Sequence, residues 1–318
     1  MKPTEIKLKS LQKVIYIASV GYSGSTLLDM LLGSQENITA LGEVALLARY
    51  ANENAKCTCG SPVRECQFWK RIEEKLNYRS EKRIVLSSYN LTPEIVSQTI
   101  FRKLPTISDV ALILGNKNFW QVACRISKSA NGYREASRNA VNLFDTVCES
   151  EGTTHIVDSS KYALPLKSLY MELKDKVKVI YLVRDGRAVS KSLMRRQGLS
   201  MEQAVKKWVR FNNNIQIINR TIPDEQVYFL SYERLCLETE SVFDELTDFL
   251  GIIPPIKTRK LNKEEFHDIG GNPMRFDRES IEVKYDDSWR EKITEEELEI
   301  FNRFGSRMNK KLGYSNEA

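Results

Sequence analysis

Two short segments carry the residues whose types and spacing could do chemistry, and both suit an anionic ligand. The first is Gly21-Tyr22-Ser23-Gly24-Ser25-Thr26, which directly follows the apolar run Lys13 to Ser19. Gly21 and Gly24 let the backbone turn tightly, so that successive N–H groups point into one concavity. Ser25 and Thr26 add hydroxyl donors where an apolar helix begins, with Leu27, Leu28, Met30, Leu31 and Leu32 before Gly33. Unpaired amides and the helix dipole make that point attractive to an anion. A plain strand-to-helix turn is the alternative. A nucleoside triphosphatase loop would place a lysine just before its Ser or Thr. Here Ser25 follows Gly24 and the loop contains no lysine, although His155 to Asp158 resembles a strand ending in a magnesium-binding aspartate.

The second segment is the apolar run Val177 to Val183 followed by Arg184-Asp185-Gly186-Arg187-Ala188-Val189-Ser190-Lys191-Ser192 and then Arg195-Arg196. With a helix starting near Arg187, Ser192 and Arg196 stand four residues apart on one face. Arg184 falls at a strand end, where ligands of open parallel sheets collect. Two arginines and a hydroxyl at such a point would hold a phosphate by charge-assisted bonds. A solvated basic helix is the competing reading.

The elements that must position these segments alternate along the chain. Strands are expected at Lys13 to Ser19, His155 to Val157, Val177 to Val183 and Val227 to Leu230. Capping boxes at Ser200 to Gln203 and Thr294 to Glu297 open two amphipathic helices. The first puts Ala204, Trp208, Phe211, Ile215 and Ile218 on one face; the second buries Leu298, Phe301, Phe304, Met308 and Leu312. The pattern predicts an α/β, P-loop-like three-layer fold with a central, mostly parallel sheet flanked by helices. One domain over residues 1–318 is expected, with 51–150 as a mainly helical insertion or acceptor cap.

The 318 residues are 42% hydrophobic and 28% charged, with a net charge of +6, which is ordinary globular composition. No stretch approaches the roughly 18 apolar residues of a membrane helix. Met1 to Lys13 lacks the apolar core of a signal peptide, so a cytoplasmic location is expected. Aromatic and basic residues are not interleaved in the manner of a nucleic-acid surface. Cys57, Cys59 and Cys66 cluster around Gly60. Without a fourth partner or a nearby histidine they fall short of a closed zinc site, so buried thiols or a strained disulfide are expected and no metal site is assigned. Of the two histidines, His155 reads as a core strand residue and His267 receives no role.

The pair of loops resembles the two nucleotide-binding motifs of sulfotransferases that use 3′-phosphoadenosine-5′-phosphosulfate (PAPS), with closest likeness to the tyrosylprotein and related bacterial and carbohydrate branches. The likeness extends to Lys161 through Tyr170, Tyr232-Glu233, Phe249-Leu250-Gly251 and Trp289. It implies that residues 21–26 grip the 5′-phosphosulfate, while Arg184 and Ser192 grip the 3′-phosphate with Arg196 as a further basic contact. It implies PAPS as cosubstrate, no required metal, and a hydroxyl-bearing acceptor. Glu43, which opens the run Val44 to Ala48, becomes the candidate base, and a carboxylate favouring a helix N-terminus is its alternative.

One departure is Tyr22, which stands where the family usually has lysine or arginine. Loss of one such electrostatic contact costs on the order of 10² to 10³ in rate. Lys161 is the candidate replacement cation, with a solvated lysine as the alternative. Asp158 would cap the helix after it or orient Lys161. Arg275, after Gly270-Gly271-Asn272, is expected to close over the adenine and 3′-phosphate, or else to sit in an exposed turn. Tyr232 is a further candidate for nucleotide contact, against strand-end packing. A P-loop kinase or NTPase, and a catalytically impaired nucleotide-binding homologue, are the competing functional classes.

Overall fold

The computed structural model describes residues 8–81, 83–92, 107–115, 117–253, 266–276 and 283–315. Five parallel strands form one sheet: β1 (Lys13–Ser19), β2 (Ile38–Ala40), β3 (His155–Asp158), β4 (Val177–Val183) and β5 (Val227–Ser231), in the order β2-β3-β1-β4-β5. The β1 and β4 runs are apolar because both faces of each strand are covered, whereas the edge strand β5 is only partly buried. In β1, Val14, Tyr16 and Ala18 enter one core and Ile15 and Ile17 the other. β4 divides likewise, with Val179 and Tyr181 on the first side and Ile180 and Leu182 on the second. This is the period-2 alternation of a strand between two helical layers.

Helix α1 (Ser25–Gly33) packs its leucines into the second core. A series of helices separates β2 from β3: α2 (Leu47–Asn52), α3 (Gln67–Arg79), α4 (Ile107–Leu114), α5 (Lys117–Ile126) and α6 (Lys128–Glu151). These fill most of the stretch 51–150, of which residues 82, 93–106 and 116 lie outside the described residues. α7 (Ala163–Leu173), α8 (Gly186–Gln197) and α9 (Met201–Asn219) follow, with α7 and α9 contributing to the first core. α10 (Tyr232–Leu237) and α11 (Thr239–Leu250) cover the opposite face. The chain ends its described part with α12 (Trp289–Lys292) and α13 (Glu295–Lys311).

Both capping boxes form, with Ser200 and Thr294 each accepting an amide while Gln203 and Glu297 bond back. Trp208 and Phe301 are fully buried, and Gly186 is required between them. A Cβ there would lie 2.6 Å from the Trp208 ring and 2.8 Å from that of Phe301. The start of α8 is thereby pinned to α9 and α13. Phe304 and Leu298 are only half-buried, Phe304 lying beneath the Lys206 ammonium at 4.5 Å.

Candidate active site

The phosphate-type loop leaves β1 and reaches α1 through two left-handed residues, Tyr22 (φ 71°) and Gly24 (φ 90°). Gly24 is the N-cap of α1 and provides no side-chain cap; no acidic residue occupies the first turn. The first-turn amides of any helix lack intrahelical acceptors, so this end stays receptive to an anion. The hydroxyls of Ser19 and Ser23 are buried with no partner among the described residues. Gly24 is also a steric requirement, since a Cβ there would stand 2.5 Å from the Tyr232 ring.

β4 is hydrogen-bonded beside β1, with Ser19 opposite Leu182, so the residue after β4 emerges next to the loop. That residue is Arg184. Its Nη1 donates to the Tyr22 carbonyl at 3.3 Å, and its guanidinium stacks 4.2 Å from the Tyr232 ring centre. Nη2 donates to the Asp286 carbonyl and to its carboxylate, the latter at 3.2 Å. Arg187 instead turns inward, paired with Asp185 at 2.7 Å and stacked 4.6 Å from Trp289. Ser192, half-buried, and Arg196, exposed, lie in the second half of α8.

A third group comes from the ends of β2 and β3. Glu43 N-caps the short 3₁₀ turn Val44–Leu46 and its amide donates to Ile269 O at 2.7 Å. Its carboxylate is ion-paired with Lys161, with both side chains less than one-fifth exposed. Lys161 holds φ 75°, unusual for a non-glycine residue. Asp158 makes no hydrogen bond or ion pair with Lys161; its carboxylate accepts the Ser160 amide at 2.9 Å. Ser160 Oγ in turn accepts the Ala45 amide at 2.9 Å, which stitches the β3 exit to the turn carrying Glu43. Burial raises the Asp158 carboxyl to about 6 despite the bonds from Ser160, with the charge of Glu43 adding to the rise. Burial and then the Glu43 charge push the Tyr50 phenol up to about 12, so it remains a donor near neutrality.

The turn Gly270-Gly271-Asn272 joins these groups. The Asn272 amide donates to Thr26 Oγ1 at 3.0 Å. A Cβ on Gly270 would lie 2.9 Å from Glu43 Cβ, and one on Gly271 would lie 2.8 Å from Thr26 Oγ1. Only glycines fit where one turn touches both the candidate base and the phosphate-type loop.

The sulfotransferase family model matches residues 15–254, a span that contains the loop, Glu43, Lys161 and Arg184. The chain belongs to the sulfotransferase family. Its fold is similar to that of a sulfotransferase domain from the curacin biosynthetic pathway, at 18% identity and a TM-score of 0.50, covering 96% of this chain and 99% of that one. It is also similar to the sulfotransferase domain of the Synechococcus PCC 7002 olefin synthase, at 17% identity and a TM-score of 0.53, with 99% and 98% covered. No curated protein matches the chain by sequence.

Two expectations from sequence need correction in this sulfotransferase. Arg275 does not lie in an exposed turn or present a free guanidinium to a ligand. It is buried, and its Nη atoms donate to Thr58 Oγ1 (3.0 Å), Asp268 O (2.7 Å) and Lys56 O (2.9 Å). A buried guanidinium is costly unless hydrogen-bonded, and here the Nη atoms brace the segments around 56–58 and 268, while Nε is buried with no partner among the described residues. The cysteine cluster likewise does not lack a fourth partner. His267 Nδ1 lies 3.4 Å from Cys66 Sγ and 3.8 Å from Cys57 Sγ, and all three thiols are free. Sequence reasoning also passed over Asp29 and Asp268, two buried carboxyl groups whose acidity is lowered chiefly by burial, with the Asp268 charge adding to the rise at Asp29. Asp29 sits inside an apolar helix run, where a lone acidic residue among leucines was the available signal.

Proposed function

We propose that the chain moves a sulfuryl group from PAPS to an acceptor hydroxyl. The observation that carries this reading is the junction of the two anion sites. Arg184 bonds the Tyr22 carbonyl, so the loop and the second motif open on one edge of the sheet. In this reading the α1 amides with Ser25 and Thr26 hold the 5′-phosphosulfate, and Arg184 with Ser192 holds the 3′-phosphate while Arg196 adds positive charge at the rim. Tyr232 acts through others, packing on Gly24 and beneath Arg184.

Glu43 takes the proton of the acceptor hydroxyl as the new O–S bond forms. The S–O bond to the 5′-phosphate breaks, and adenosine 3′,5′-bisphosphate leaves with the bond electrons. Lys161, already beside Glu43, supplies the positive charge that Tyr22 does not. Tyr22 keeps its hydroxyl on the Gln197 amide, which donates at 3.3 Å. The helices described between β2 and β3 would form the acceptor side of a single sulfotransferase domain.

The test pairs binding with transfer. Adenosine 3′,5′-bisphosphate without magnesium should raise the melting temperature of the chain, by linkage worth about 2.7 kcal/mol at a hundredfold excess over Kd. Arg184→Ala should lose that rise. Radiolabelled PAPS offered with a pool of hydroxyl acceptors should yield labelled product. Stabilisation by ATP with magnesium alone would replace the proposal with a kinase. Bisphosphate binding without any transfer would replace it with a non-catalytic nucleotide-binding protein.

A further inference from the structure

The segment after α2 folds as a knuckle. The Cys57 amide donates to Ser61 O at 2.9 Å and the Gly60 amide to Cys57 O at 2.9 Å, with Gly60 at φ 92° and an antiparallel bridge between Lys56 and Pro62. Cys57 and Cys59 are presented by this turn. Cys66 is the extended N-cap residue of α3, where the helix dipole favours a thiolate. The fourth member comes from far along the chain. The ring of His267 is stacked on Phe68, with centroids 4.7 Å apart and planes 8° apart, while its carbonyl accepts the Trp69 indole N–H at 3.1 Å.

Four of the six donor-to-donor spacings match a coordination tetrahedron. A zinc ion with Zn–S near ~2.3 Å and Zn–N near ~2.0 Å sets tetrahedral S···S edges of about 3.8 Å and S···N edges of about 3.5 Å. The corresponding separations here are 3.7 Å for Cys59–Cys66, 3.8 Å for Cys57–Cys66, 3.4 Å for Cys66–His267 and 3.8 Å for Cys57–His267. All four donor atoms lie within 4.8 Å of one another. A disulfide would bring two of the sulfurs to about 2.05 Å and leave the histidine without purpose. Backbone amides of Cys59 and Trp69 bond the sulfurs of Cys57 and Cys66, the outer-layer support that thiolate ligands need. Three soft sulfurs and one imidazole select zinc over magnesium or calcium, and a full set of four leaves no open position for catalysis.

We propose that Cys57, Cys59, Cys66 and His267 bind one structural zinc ion that fastens the turn 266–276 against the base of α3. The mechanical consequence runs to the active site. Next to His267, the Asp268 carbonyl receives the Thr58 amide at 3.1 Å and Arg275 at 2.7 Å. Ile269 bridges to Gly42, and Asn272 reaches Thr26. The ion would therefore hold in place the turn that touches both Glu43 and the phosphate-type loop. The site stands on its own geometry and does not depend on the identity of the sulfuryl donor.

Elemental analysis of the full chain, purified without chelator from zinc-supplemented cells, should find about one zinc per molecule. Cobalt(II) added to the zinc-stripped, reduced chain should develop thiolate-to-cobalt charge-transfer absorption and the intense visible bands of a tetrahedral ion. Cys59→Ser and His267→Ala should lose most of the bound zinc, whereas Cys236→Ser, outside the cluster, should keep it. Chelator should lower the melting temperature of wild type and not of Cys59→Ser. Metal-free wild type that stays silent with cobalt would overturn the proposal, as would full zinc content in both cluster variants. Two oxidised cysteines within the cluster of freshly purified chain would overturn it too. Should the variants prove insoluble, the cobalt titration of wild type decides alone.

Discussion

At the residue scale, the proposed chemistry rests on the pairing of Glu43 with Lys161. Lys161 holds a left-handed backbone that costs on the order of 1–3 kcal/mol for a side chain of its kind. Such strain persists only where the surroundings impose it, and here the surroundings are the Ser160–Ala45 bond and the Glu43 carboxylate. A solvated lysine at the start of a helix would have no reason to adopt it. With Glu43 as base, Glu43→Gln should leave nucleotide affinity unchanged and lower kcat by about 10² to 10⁴. Lys161→Met should lower kcat by about 10² to 10³. Because the two groups touch, the double variant should lose much less than the product of the single losses. Steady-state kinetics with the identified acceptor, together with bisphosphate titrations, check this. Full activity in Glu43→Gln would remove it as base, and a loss of affinity would make it a binding residue.

At the scale of elements, the proposed nucleotide end of the site is bounded by a strap, residues 283–288, lying over Arg184. The Asp286 amide donates to the Tyr232 hydroxyl at 3.2 Å, which donates to Lys284 O at 3.2 Å, and the Asp286 carboxylate faces Arg184. A phosphate reaching Arg184 must compete with that carboxylate, whose side chain is 56% exposed. A half-exposed pair is worth less than about 1 kcal/mol, so Asp286→Asn should tighten bisphosphate binding by about two- to fivefold, and more at low salt. Calorimetric titration reads the change, and weaker binding would mean that Asp286 positions Arg184 for the ligand rather than opposing it. None of this strap was legible in the sequence, because its partners lie 52 to 54 and 102 residues away and Asp286 stands in no periodic segment. β1 and β4 were legible to the residue, since burial on both faces leaves an uninterrupted apolar run. β2 was not, because Ile38-Thr39-Ala40 is too short to show a period and is fixed by pairing with β3. The positions of glycine in the phosphate-type loop were legible, but the reason for Gly24 was not: its neighbour Tyr232 arrives from β5's far end. Arg275 shows the same limit, for a cation after two glycines has one local signature whether it faces a ligand or two carbonyls and a hydroxyl. His267 shows it again, 201 residues from Cys66.

At the scale of the whole molecule, ionisable groups lie in the interior beneath the sheet edge that carries the proposed anion sites. Asp29, Asp158 and Asp268 are each at least 95% buried there. Burial raises all three carboxyl groups above their usual range. The global stability should therefore carry their signature. For Asp158 the folded value is about 6, above the ~3.9 expected of an unfolded chain. Between those two pH values the folded state keeps a proton that the unfolded chain has released. The stability contributed by protonated Asp158 is thus fully present below about pH 4 and is lost as pH rises through about 6. Asp158→Asn retains an oxygen for the Ser160 amide and removes the titration. Its unfolding free energy, relative to wild type, should climb across that window by at most ~3 kcal/mol and then level off. Any fixed cost of the new amide hydrogens shifts the whole curve and leaves its slope untouched. Denaturant melts of both chains at pH 4, 5, 6 and 7 measure that slope, and parallel curves would show that Asp158 folds in its charged form, stabilised by groups other than those seen around it.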